Sequence, residues 1–391
     1  MTIARLVYLD THDYSKFADA AFGFGHSNLL PVYEELCHLA DEGYFQFCFS
    51  QVIVSEVLQT APEHLEIAKR KAKVLERLCG ARAFPNPFWI FKQELLQKNM
   101  LPTSSSWLLP QEVVRQGRWL QEELRSGTKG QFEYESLIPW FARPIVRWLI
   151  KRMGDEKLRA SMSAHRMFPL LLAAELDGVA LDLLKGRVSG EKFLNRLGLA
   201  LAYPSKLVWE PNVAKELVGL NAGMREFGDK MVFALNRFRS EIDETYKKVG
   251  MPPPSGMIEE QGQKAMVGLW TNVAQRQLSE ERPADKAYLR SNDFAQLVSE
   301  TQFVQLFAEI MMIFMREAAS LSKVRRRFRK GDGGDIMHAL YLPHCQVMRA
   351  DGDFAERIRK VAAKYGCTIV GKLEELPAVL RGLQASSATE S

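Results

Sequence analysis

Cysteine is scarce in this chain and is not arranged in pairs. Its five copies, Cys37, Cys48, Cys79, Cys345 and Cys367, are odd in number and form no C-x-x-C. That argues against a disulfide framework and for reduced, mostly buried thiols in an intracellular, cytoplasmic protein. Long uncharged apolar runs are missing as well. The most apolar stretches, Met167–Leu184 and Phe303–Met315, are broken by Glu175, Asp177, Asp182 and Glu309. Neither reaches the roughly 18–20 residues a membrane span requires, so no membrane partner is expected. The N-terminal text MTIARLVYLDTHD has no signal-peptide apolar region, because Asp10 arrives too soon. There is no fixed-period repeat and no Ser-His-Asp or Cys-His arrangement.

What is present is ordinary in bulk and distinctive in pattern. A length of 391 residues exceeds one typical domain. An apolar fraction of 47% with 25% charged residues suits a soluble globular chain. The net charge of +5 permits an anionic partner without demanding one.

The apolar run Leu6–Leu9 predicts a short buried strand ending on Asp10. Leu29–Gly43 has helical spacing, with Gly43 as its stop. Tyr44–Phe49 alternates aromatic and polar residues, as a strand does, and Ser50 is placed to cap a helix carrying Glu56. A charged helix follows over Glu63–Cys79. From Ala83 to about Ser322 the pattern is helical, with long helices over Pro211–Val249 and Ser291–Ser322 and no convincing strand. The alternation then returns: a short helix over Asp335–Tyr341, a strand over Cys345–Arg349, a helix over Phe354–Tyr365 and a strand over Cys367–Val370. Strand–helix–strand units of this length imply a parallel sheet. The expected architecture is one α/β domain built from both chain ends, 1–82 and 323–384. A large all-α segment, 83–322, is inserted, and a disordered tail, 385–391, follows.

Acidic residues fall where those strands end. Asp10 closes the first apolar run, and Glu56 sits in Gln51-Val52-Ile53-Val54-Ser55-Glu56-Val57-Leu58 among apolar neighbours. The text Gly331-Asp332-Gly333-Gly334-Asp335-Ile336-Met337-His338 comes late, and Ala350-Asp351-Gly352-Asp353 follows a strand. Carboxylates at the C-terminal edge of one parallel sheet can converge where open α/β folds build their sites. They repel unless something positive lies between them, and hard divalent cations with oxygen ligands do that job. Asp332 and Asp335 both compete to cap the helix near Ile336. If that helix starts early, Asp332, Asp335 and His338 share a face. Asp353 is the natural cap of Phe354–Tyr365.

In this order, strand–Asp10, helix–Glu56, Asp335 with His338 three residues on, and strand–Asp351, the chain resembles a PIN-domain nuclease. The resemblance covers the two terminal segments and not the insertion. It implies a three-layer PIN-like domain with a central parallel sheet. It also implies metal-dependent hydrolysis of phosphodiester bonds, most often in RNA. By the same resemblance Asp10, Glu56, Asp335 and Asp351 would be the catalytic ligands of one or two Mg²⁺ or Mn²⁺ ions, about 3.5–4 Å apart if two are held. Asp332, His338 and Asp353 are expected around those ligands rather than among them.

The basic run Lys323–Lys330 lies directly before the acidic text. Arg325, Arg326, Arg327, Arg329 and Lys330 are candidate phosphate-steering residues, and Phe328 could stack on a base. A second stripe, Arg143, Arg147 and Lys151, repeats at helical spacing. The insertion suits recognition of a structured substrate, a protein partner or another copy of the chain.

Two other functions fit parts of the pattern. A PIN-like module without catalysis would bind RNA or organise an assembly independently of metal. A phosphatase of the haloacid dehalogenase type would use an Asp nucleophile after the first strand and a GDGxND-like loop, which Gly331–Asp335 resembles. Against the phosphatase, Asp10-Thr11-His12-Asp13 lacks the D-x-D spacing, and Gly331–Asp335 follows a basic run instead of an apolar strand.

Overall fold

The computed structural model describes residues 4–57, 65–85, 87–96, 154–163, 177–189, 192–193, 196, 211–250, 255–281, 285–319 and 328–389. Its centre is β1 (Arg5–Tyr8), whose Val7 and Tyr8 are fully buried. The chain leaves β1 through α1 (Thr11–Ala21) and α2 (Leu30–Asp41), then returns parallel to it as β2 (Phe45–Ser50). In β2 the rings of Phe45, Phe47 and Phe49 are buried on one face, and Cys48 and Ser50 are buried on the other. Burial on both faces is what a parallel strand between helices requires. Gly43, at a φ of +80°, makes the left-handed stop between α2 and β2 as its position predicts.

Two helices follow, α3 (Gln51–Val57) and α4 (Leu65–Cys79), and then β3 (Ala83–Phe84) pairs parallel with β2. This two-residue strand lies inside the segment expected to be purely helical. It is too short to show periodicity, and its register is set by pairing with Phe49 and Ser50.

Beyond it come α5 (Pro87–Leu95), α6 (Asp155–Ser163), α7 (Asp177–Leu184), α8 (Pro211–Val249), α9 (Ser255–Glu281) and α10 (Lys286–Leu289), then α11 (Asn292–Glu300) and α12 (Gln302–Ala319). The long helix expected over Ser291–Ser322 is two helices bent by 73° at Thr301. Thr301 adopts an extended conformation. Its hydroxyl donates back to the Val298 carbonyl and accepts from the Val304 amide, so it closes one helix and opens the next. The bent pair is apolar, but the apolar face of α12 is buried in the core. No single described helix is long and apolar enough to cross a membrane.

Among the described residues these helices share the hydrophobic core of the sheet. Trp270 of α9 packs edge-on against Phe303 and Phe307 of α12 and against Phe91 of α5, and all of them belong to the same hydrophobic cluster as the sheet. Met311 and Met315 are buried there too. The stripe Arg143, Arg147 and Lys151 lies outside the described residues.

The C-terminal part supplies α13 (Lys330–Ala339), β4 (Val347–Arg349), α14 (Gly352–Lys364), β5 (Thr368–Val370) and α15 (Leu376–Thr389). The fold is therefore α/β and mostly helical, around a five-stranded parallel sheet of order β3-β2-β1-β4-β5. The tail expected to be disordered is instead helical to Thr389. Ala and Ser contain no helix breaker, and the Ser386 hydroxyl donates to the Gly382 carbonyl. Arg381 fastens α15 to Glu35 and Glu42, at the end of α2.

The chain passes from β1 to β2 on one side and comes back to β4 on the other. The crevice beyond the carboxyl ends of β1 and β4 is thus a switch point, where open α/β sheets place ligands. α13 reaches that crevice by crossing α8 at very close range. A Cβ on Gly333 would lie 2.8 Å from the Gly228 carbonyl oxygen, whereas one on Gly331 would meet nothing within 4 Å. Asn236 of α8 also donates to the Phe328 carbonyl at 3.1 Å, fixing the approach to α13.

Gly333→Ala is expected to lower stability by about 1–3 kcal/mol, because the neighbouring backbone cannot step aside. Gly331→Ala, by contrast, should be neutral or gain up to about 1 kcal/mol. Urea unfolding of both variants checks this, and equal effects would contradict the close crossing.

Candidate metal centre

Asp10 follows β1 and serves as the N-cap of α1. Its Oδ1 accepts from the His12 amide at 3.3 Å, and Asp13 Oδ2 accepts from the Asp10 amide at 3.2 Å. This reciprocal capping box fixes the start of the helix and holds Asp10 at the sheet edge. Asp13 is fully buried, and Arg349, at the end of β4, pairs with its Oδ1 at 2.9 Å while standing 3.8 Å from Asp10 Oδ2. Arg349 is itself only 5% exposed. Burial pushes the Asp13 carboxyl up to about 7 against the pull of that guanidinium.

Glu56 is brought in by α3, whose first turn is capped as its sequence predicts: Ser50 Oγ accepts from the Ile53 amide at 3.3 Å. The Glu56 carboxylate lies against α13. A Cβ on Gly334 would sit 2.9 Å from its Oε1, so glycine at that position is what leaves room for the carboxylate.

α13 begins at Lys330, five residues ahead of the expected Asp335, so Asp332, Asp335 and His338 do follow one another along one helix. Asp332 is buried, and its Oδ2 accepts from the Arg329 amide at 2.6 Å; it closes the N-terminus of α13. His338 goes further than expected. Its Nε2 is 3.3 Å from Glu56 Oε2, and ligand atoms of Asp10, Glu56 and His338 all lie within 4.8 Å of one another. Its Nδ1 is 2.6 Å from the Tyr8 hydroxyl, which is in turn 2.6 Å from Ser50 Oγ.

The electrostatics record crowded negative charge. Burial, then Asp10, Asp332 and Glu56, push the Asp335 carboxyl up to about 7, with His338 opposing them. Burial disfavours a charged His338, but Glu56, Asp10 and Asp335 outweigh it and raise the imidazole to about 9. Burial works against an ionised Glu56 too, yet His338, Thr11 and His12 hold its carboxyl below the ordinary value. Two carboxylates and an imidazole converging in this way, with a third carboxyl forced towards its protonated form, fit a divalent cation in donor chemistry. The Gly334 cradle that seats Glu56 fits it as well.

The remaining expected residues divide. Asp351 is exposed and caps α14, accepting from the Gly352 amide at 2.7 Å; it is not in the ligand group. Asp353, expected to be that cap, is exposed in the first turn, because α14 starts two residues earlier than its apolar pattern predicts. Arg329 is exposed directly before α13, and Lys330 is that helix's first residue. Arg325, Arg326 and Arg327 lie outside the described residues. Phe328 cannot stack on a base, since it is buried against Phe314 with ring centroids 5.8 Å apart.

Sequence reasoning missed Tyr8, Ser50 as its partner, and Arg349. Arg349 did leave a signal, since a charge closing a buried strand must find an opposite charge. Tyr8 left only its hydroxyl inside an apolar run. No protein-family model, curated protein or solved structure matches this chain. The arrangement therefore has to be read on its own geometry.

Removing one partner of the buried Arg349–Asp13 pair strands the other charge. Arg349→Met should cost about 3–5 kcal/mol, and adding Asp13→Asn should recover at least half of the loss. Chemical denaturation of the two single variants and the double variant measures the coupling. A loss below about 1 kcal/mol for Arg349→Met would show that the pair does not hold this edge together.

Proposed function

We propose that this chain is a metal-dependent endoribonuclease with a PIN-like fold, hydrolysing RNA phosphodiester bonds at the crevice between β1 and β4. One observation carries the reading: Asp10, Glu56 and His338 bring ligand atoms within 4.8 Å of one another at a switch-point edge, with Asp335 electrostatically coupled to all three. Asp10 and Glu56, with Asp335 beside them, would hold Mg²⁺ or Mn²⁺. Bound there, such an ion supplies an activated water and stabilises charge on the leaving oxygen.

The chain's own groups do the remaining work. The α1 capping box holds Asp10 at the edge, and the Ser50-capped helix brings in Glu56. Exposed Arg329 provides positive charge at the start of α13, where it can attract a phosphate backbone. Asp351 is left to its capping role unless it turns towards a ligand from the adjacent strand end. The helical segment would recognise a structured RNA, a protein partner or another copy of the chain, in a cytoplasmic setting.

The Glu56–His338 contact supports a second reading. If that ion pair is complete in itself, the edge needs no cation and the chain is a PIN-like RNA-binding or assembly module without catalysis.

Labelled single-stranded and structured RNA, with single-stranded DNA as control, distinguishes the two. The wild type should cleave RNA with Mn²⁺ or Mg²⁺, and EDTA, Asp10→Asn and Asp335→Asn should each reduce cleavage to background. RNA retained by the wild type without cleavage, equally with metal and with EDTA, would favour the second reading.

A further inference from the structure

The PIN resemblance supplies only carboxylate ligands, and it leaves His338 outside the ligand set. The structure argues differently. His338 is buried, and its two ring nitrogens face different surroundings. Nδ1 meets the Tyr8 hydroxyl at 2.6 Å, and that hydroxyl meets Ser50 Oγ at 2.6 Å. Ser50 Oγ is already committed as an acceptor to the Ile53 amide. The Tyr8 hydroxyl can accept from Nδ1–H and donate to Ser50 Oγ, a relay open to a histidine with a proton on Nδ1. A histidine whose Nδ1 is spent in that way presents its Nε2 lone pair on the opposite side of the ring. Here the opposite side faces Asp10 and Glu56 Oε2, and Nε2 carries the proton that pairs with Glu56 at 3.3 Å; a cation bound there would displace that proton and take up the lone pair. Metal-bound histidines are held by this kind of outer hydrogen bond, which fixes both tautomer and ring orientation.

The relay is built into rigid parts of the fold. Tyr8 is the last residue of the central strand, Ser50 is the last residue of β2, and His338 is in the last turn of α13. The Tyr8 ring also packs against His338, with centroids 5.7 Å apart, and against Tyr341 at 5.2 Å. Neither the hydroxyl nor the imidazole has freedom to turn away.

We propose that His338 is a direct nitrogen ligand of the cation, coordinating through Nε2, with Tyr8 as its positioning residue. The nitrogen donor makes the site favour ions that accept imidazole, such as Mn²⁺, over Mg²⁺. This rests on the metal-site reading above. A site of carboxylates and water suits Mg²⁺ and Mn²⁺ alike, and replacing one oxygen by an imidazole nitrogen penalises the harder Mg²⁺.

The test uses the full chain with Mn²⁺, and Mg²⁺ for comparison, in the absence of RNA. Pulsed electron paramagnetic resonance on Mn²⁺-loaded wild type should show the coupling of a directly bound ¹⁴N. His338→Gln should lose that coupling. Tyr8→Phe should keep it, while binding Mn²⁺ about 10–100-fold more weakly. Titration calorimetry should give a preference for Mn²⁺ over Mg²⁺ that shrinks at least tenfold in His338→Gln. The wild-type spectrum is decisive even if His338→Gln fails to fold. Mn²⁺ bound without nitrogen coupling, and released by Asp10→Asn, would overturn this proposal while leaving a carboxylate metal site intact. No Mn²⁺ bound at all would overturn both.

Discussion

Carboxylates gathered at one buried edge of a sheet repel one another, and the surroundings of the crevice are organised around that repulsion. Arg349 supplies a fixed positive charge between Asp13 and Asp10. The imidazole of His338 is drawn towards its charged form by Glu56, Asp10 and Asp335. Asp335 is driven up to about 7, by burial first and then by the charge of Asp10, with His338 opposing. The protein thus compensates part of the charge with its own groups, and a bound cation would compensate the rest. A divalent cation among Asp10, Glu56 and His338 would offset the negative charge that adds to burial in raising Asp335.

The same few residues of α13 serve packing and site together. Gly333 permits α8 to cross at backbone contact, and Gly334 leaves the space that the Glu56 carboxylate fills. Asp332 closes the helix N-terminus. His338 then joins Asp10 and Glu56 at the edge, with the Asp335 carboxyl electrostatically coupled to them from the preceding turn. A glycine-rich text that reads as a loop is therefore a helix, stabilised by what packs on it more than by its intrinsic propensity.

Much of this was legible in the amino-acid pattern. Apolar runs of strand length, Gly43 as a stop and Ser50 as a cap all stand where periodicity and capping chemistry put them. Asp10 and Glu56 stand out because an acid beside a buried run has to be compensated. What stayed illegible depends on partners distant in sequence. The two-residue β3 exists only through β2, and α13 starts early because α8 supports its glycines. α14 is capped by Asp351 because the turn out of β4 leaves that residue, and not Asp353, at the cap. The role of His338 depends on Tyr8, 330 residues away in the chain, and no local spacing encodes that contact.

The central claim is that this edge holds a metal ion, and crystals of the wild type soaked in Mn²⁺ test it most directly. The account predicts an anomalous-scattering peak bounded by Asp10, Glu56 and His338, absent from Asp10→Asn crystals. A crevice with no such peak, in which Glu56 and His338 keep their 3.3 Å contact, would contradict it and leave the edge a purely structural ion-pair network.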